Sequence, residues 1–140
     1  MDCKLLVAGT RLYLPIPVDG ALFSVGDGHA AQGDGEISGT AIECPVKQVD
    51  LTFVVHDDMK LTTPLAKTHE GWMTLGFHED LDEAAYIAAN AMVDWMMEHY
   101  KLSRKQALAL ASVTVDLRVT QIVNTTKGVH AVLRDDAVLS

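Results

Sequence analysis

Between residues 26 and 36 the chain reads Gly26-Asp27-Gly28-His29-Ala30-Ala31-Gln32-Gly33-Asp34-Gly35-Glu36, three carboxylates and an imidazole set among glycines. Side chains alternate across an extended strand, so a strand running through His29 would place Asp27 and His29 on one face. The same period pairs Asp34 with Glu36 on a returning strand. A turn at residues 31–33 would then bring all four side chains together across a hairpin. Carboxylates left bare at close range raise one another's pKa, and a cation or a shared proton relieves them. A mixed imidazole and carboxylate set suits zinc or another borderline divalent ion, whereas an all-oxygen set would suit calcium or magnesium. The spacing is not that of an EF-hand loop, because Gln32 stands where that loop requires glycine. Nor is it a phosphate cradle, since no Lys-Ser/Thr pair follows and no helix opens at Glu36. The plain alternative is a glycine-rich turn with solvated carboxylates.

Other groups offer less. Cys44 precedes Pro45 in an extended segment, with only Lys47 as a basic neighbour and no helix N-terminus to favour a thiolate, so a structural thiol is expected. Ser24 lacks the Gly-x-Ser-x-Gly elbow of serine hydrolases. Glu43 is a further carboxylate whose expected place is a solvated strand position, and His69 and His78 receive no role.

The elements that must hold these groups are of two kinds. Short apolar runs at residues 4–8, 12–18 and 21–25 read as strands, with Pro15 and Pro17 limiting the second to an edge or irregular strand. Residues 49–55 alternate as a half-buried strand, and residues 72–77 form another. From Glu79 the pattern changes. Asp80 with Glu83 fits a capping box, and Leu81, Ala84, Ala85, Ala88, Ala91, Met92, Trp95 and Met96 then recur at helical spacing to about Tyr100. The Met/Trp stripe reads as core rather than as a cofactor slot. Ser103 with Gln106 opens a shorter helix to about Ala111. Alternation from Val113 to Thr120 gives a strand, residues 125–128 a turn, and residues 129–133 a last strand. The expected fold is α+β in one domain, residues 1–140. It has a β-rich, sandwich- or barrel-like part (1–78), a two-helix segment (79–111) and further strands (112–134).

Eleven Lys+Arg against nineteen Asp+Glu leave a net charge of −8 over 140 residues. Such a chain has no long-range attraction for phosphate backbones or anionic lipid, so neither nucleic acid nor membrane is an expected partner. No apolar run reaches the roughly 18–20 residues of a membrane span. Cys3 and Cys44 make no disulfide framework. The first residues carry charge too early for a signal peptide, so the expected location is cytoplasmic.

Residues 14–36, LPIPVDGALFSVGDGHAAQGDGE, continue into Gly39-Thr40-Ala41-Ile42-Glu43. Together they resemble the signature of the acetamidase/formamidase family. Thr74-Leu75-Gly76-Phe77, Ala84-Ala85 and Val115-Asp116-Leu117-Arg118-Val119-Thr120-Gln121 match the same family in order. The resemblance implies hydrolysis of the C–N bond of short amides to carboxylate and ammonia, with lactams as further substrates, and a divalent metal. Zinc is favoured and calcium is an alternative. On this reading Asp27, His29 and Asp34 hold the metal, and Glu36 is the general base. The sequence corresponds to the C-terminal half of the family pattern, with Met1-Asp2 falling where the family has an internal Asn-Met-Asp. Association is therefore expected, with copies of itself or with a complementary N-terminal-half chain. The competing expectation is a non-catalytic half-enzyme, a subunit or cation-binding module.

Overall fold

Asp80 opens the long helix α1 (Leu81–Tyr100) by accepting hydrogen bonds from the backbone N–H groups of Asp82 and Glu83. The other half of the expected capping box is replaced. Asp80 N–H donates to Nδ1 of His78 at 3.0 Å, which gives that histidine a role at the helix entrance. Lys101 closes α1 in a left-handed conformation, its N–H returning to the Met97 carbonyl. Helix α2 (Arg104–Thr114) begins with the expected reciprocal box between Ser103 and Gln106. It runs one turn further than its apolar pattern implies, taking the first residues of the strand expected from Val113. Arg104 ties α2 to α1 through Asp94 and Asn90, each at 2.6 Å.

The computed structural model describes residues 1–138. Its strands are β1 (Arg11–Tyr13), β2 (His29–Ala31), β3 (Ile42–Glu43), β4 (Leu65–Lys67), β5 (Gly71–His78), β6 (Val115–Gln121) and β7 (Lys127–Arg134). Five form an antiparallel sheet in the order β1-β4-β5-β7-β6, and β2 pairs with β3 in a separate ribbon. This is the expected α+β class. Alternation along β7 sorts the core into two layers. Val129, Ala131 and Leu133 face Ala84, Ala88, Met92, Val93 and Met96 of α1. Val132 packs on the other side with Leu5, Ala66, Met73 and Leu75. The Met stripe of α1 is thus core. Gly76 allows the helix to lie directly on β5, because a Cβ there would collide with the backbone of Ala84 and Ala88. An aromatic stack crosses the same joint: Trp72 of β5 lies 4.8 Å from Trp95 of α1, and Trp95 lies 4.4 Å from His99.

The N-terminal strands differ from expectation. Residues 4–8 make turns, with Leu5 inserted into the second core layer. The strand expected over residues 12–18 is only Arg11–Tyr13, ending before Pro15 removes a ladder donor. Residues 21–25 form none, since Ala21 and Leu22 take positive φ of 58° and 50°. Residues 49–55 alternate as a strand should yet have no ladder partner among the described residues, and Phe53, Val54 and Val55 are exposed. A two-residue period marks a face to be covered; it does not supply the cover.

Candidate cation site

The β2–β3 ribbon pairs His29 with Glu43, and the backbone N–H of Cys44 donates to the Gly28 carbonyl at 3.2 Å. Gly28 permits this approach, because a Cβ would meet the side chain of Val46. Asp27 precedes the ribbon with φ 60°, a left-handed conformation that aspartate tolerates better than most residues. Its Oδ1 lies 3.1 Å from Nε2 of His29. One ligand-type atom from each of Asp27, His29 and Glu43 lies within 4.8 Å of the others.

The structure therefore joins Asp27 and His29 as expected, but the third acid is Glu43 rather than Asp34. The expected hairpin does not form. Glu36 N–H turns back to the Gly33 carbonyl, and Glu36 takes φ 43°. Gly35 then leaves the ribbon and bridges β6, donating to the Thr120 carbonyl at 3.2 Å and accepting from Ile122 N–H at 3.0 Å. That path carries Asp34 to Lys4, where it forms an ion pair at 2.8 Å. Glu36 is half-buried and stands outside the three-residue group, although its charge reaches His29. The sequence offered one hint of Glu43: it closes the short apolar segment after the Gly39 turn, the nearest stretch able to pair with His29.

His29 is pushed above the usual histidine range, first by its hydrogen bond with the Gln32 side-chain carbonyl and then by Asp27. Both ring nitrogens face acceptors, Nδ1 at 3.1 Å from Gln32 Oε1 and Nε2 at 3.1 Å from Asp27 Oδ1. A neutral imidazole has one donor, so this setting is satisfied only by an imidazolium or by a cation beside the second nitrogen. Gln32 also donates to the Asp2 carbonyl at 3.0 Å. Asp2 N–H donates to Gln121 Oε1 at 3.0 Å, and Asn124 donates to the Asp2 carboxylate at 2.7 Å.

Two further groups lie apart from expectation. Cys44 is an exposed thiol beside Glu43. His130 of β7 is fully buried, with Nδ1 at 2.7 Å from the Thr120 hydroxyl and Nε2 without a partner among the described residues. Burial pushes its pKa down. In sequence it carries no assigned role and stands in the expected last strand, residues 129–133, as a polar residue among apolar ones.

Comparison with known proteins follows the same outline. The family described as Acetamidase/Formamidase matches residues 1–134. A Thermoanaerobacter tengcongensis protein described as a predicted acetamidase/formamidase is similar in structure, at TM-score 0.83 and 30% identity over 96% of this chain. An acetamidase of Yersinia enterocolitica matches at TM-score 0.85 and 27% identity over 100% of it. These alignments span 44% and 42% of the two solved chains, so this chain is less than half their length. An acetamidase of Mycolicibacterium smegmatis is 49% identical over 37 residues, 26% of this chain and 9% of that protein.

Proposed function

This chain belongs to the acetamidase/formamidase family, and from that premise we propose that it serves metal-dependent hydrolysis of the C–N bond in short amides. Formamide- and acetamide-like substrates are the first choice, with lactams as an extension. Asp27, His29 and Glu43 would hold the divalent ion. The observation that supports this reading is the imidazole set between two acceptors, with Glu43 completing a mixed nitrogen–oxygen donor set. Such a set favours zinc, with calcium as the alternative. When bound, the ion polarises the amide carbonyl and lowers the pKa of its water toward about 7.

Amide resonance leaves the carbonyl carbon weakly electrophilic and the amine a poor leaving group. Glu36 answers the second difficulty. As general base it takes a proton from water as the water oxygen bonds to the carbonyl carbon. It then delivers that proton to the departing nitrogen as the C–N bond breaks, giving ammonia and a carboxylic acid that loses its remaining proton to solvent as carboxylate. Asp34, paired with Lys4, fastens the loop that carries Glu36.

A second reading rests on the apolar side chains exposed in the first 55 residues, among them Leu22, Phe23, Phe53 and Val55. Patches of this kind mark association. The chain then acts as a subunit, with a second copy or a chain carrying the rest of the family fold covering that surface. Ammonia release from formamide and acetamide, measured alone and with such a chain added, separates the readings. Activity abolished by Glu36→Gln, retained in Cys44→Ala and lost on chelation is the expected result. Protein that takes up no zinc or calcium, or hydrolysis indifferent to Glu36→Gln, overturns it.

A further inference from the structure

We propose that Gln32 is the positioning residue of this site, biasing which nitrogen of His29 carries hydrogen and which is presented to Asp27. The inference rests on the reading of Asp27, His29 and Glu43 as a cation site, and it adds the group that readies the imidazole for that task. The Asp2 carbonyl can only accept, so the nitrogen of the Gln32 carboxamide must face it, at 3.0 Å. Gln32 Oε1, also an acceptor only, is thereby turned toward Nδ1 of His29, at 3.1 Å. This acceptor draws the hydrogen to Nδ1, against the Asp27 carboxylate, which draws it to Nε2 until a cation takes that nitrogen. A neutral ring with its hydrogen on Nδ1 keeps a lone pair on Nε2, the nitrogen 3.1 Å from the Asp27 carboxylate. That is the nitrogen able to ligate, held by a hydrogen bond on its opposite side as ligating histidines commonly are.

The orientation of Gln32 is itself inherited. The Gln121 side chain donates to the Thr126 carbonyl at 2.8 Å, which turns its own oxygen toward Asp2 N–H, at 3.0 Å. Two carboxamides in series, each oriented by a backbone carbonyl, thus run from the turn after β6 to the imidazole in the ribbon. The large sheet thus biases the tautomer in the small one.

Nitrogen-15 NMR of the metal-free full chain, at a pH where His29 is neutral, reads the tautomer directly. A share of the Nδ1–H form well above that of the Gln32→Leu variant is expected, and equal shares overturn the proposal. Gln32→Leu removes the acceptor. Its His29 should revert to the Nε2–H form, and zinc affinity, measured by competition with a chromophoric chelator, should fall by roughly 10–100-fold. Gln32→Glu keeps an acceptor and should keep Nδ1–H, so it carries the test if Gln32→Leu fails to fold by circular dichroism. A folded Gln32→Leu protein whose ring stays Nδ1–H sinks the role. The underlying site fails in a different way: wild-type protein with Nδ1–H that takes up no zinc, or zinc uptake unchanged in His29→Ala, removes the cation and leaves Gln32 orienting a histidine.

Discussion

From Leu65 to Arg134 nearly every strand residue has a ladder partner, and the two core layers meet on β7. From Leu14 to Val55 the chain has only the β2–β3 ribbon, and it holds large apolar side chains in solvent, Leu22 at 79%, Phe53 at 68% and Val55 at 74% exposed. Both regions are rich in apolar residues, so hydrophobicity does not separate them. Partners do. The later region closes its hydrogen bonds within about seventy residues, while the earlier one is fastened to it at a few points: Leu5, the Asp2 contacts, and the bridge from Gly35 to β6. The titratable cluster lies in the loosely fastened part, where local opening costs least. The difference teaches that the packed core and the titratable cluster are divided here, one densely partnered and the other fastened at a few points.

The largest test of that division is Met92→Ala. It empties a fully buried site between α1 and β7 and should lower unfolding stability by roughly 2–5 kcal/mol in a denaturant titration. An intermediate effect comes from His130, buried beneath the N-terminal segment. Its folded-state pKa is depressed by burial, so the unfolded chain binds a proton that the folded chain refuses. The resulting stability is fully present above about pH 6.5 and is lost as pH falls below it. Denaturant midpoints measured from pH 7.5 down to 5 should therefore drop, and His130→Gln should flatten that part of the decline. An equal slope in the variant would assign the acid sensitivity to carboxylates instead. Smallest in stability is the double change Phe53→Ser with Val55→Ser, which should move the midpoint by no more than about 0.5 kcal/mol. The same change should reduce association in sedimentation velocity. A loss comparable to that of Met92→Ala would erase the contrast by making the early region part of the core.

The legible portions of the sequence were those whose signals are local. Asp80, Ser103 and Gln106 announce the helix starts, the three- and four-residue steps give the buried face of α1, and alternation gives β6 and β7 to within a few residues. The early region was harder, because residues 49–55 carry a strand pattern with no nearby strand to receive it. At the site, Asp27 and His29 meet as expected, but through the left-handed backbone of Asp27 ahead of β2 rather than along a strand. The pairing of Asp34 with Glu36 failed because Gly35 and Glu36 take left-handed backbone in a turn that sends the chain to β6. Glu43 reached His29 only through ribbon register, a relation between segments that no single stretch encodes. His130 lay hidden for the opposite reason, a polar residue inside an apolar strand whose neighbours alone decide its burial.

The chain has two tryptophans, and both stand in one aromatic stack at the joint of β5 and α1. Tryptophan emission is thus an optical gauge of that joint and of β1, whose Tyr13 stacks on Trp72 at 6.2 Å. Light from Trp72 and Trp95 will report the melting of helix from sheet while staying dark to events around the ribbon, so a probe placed there must be introduced separately.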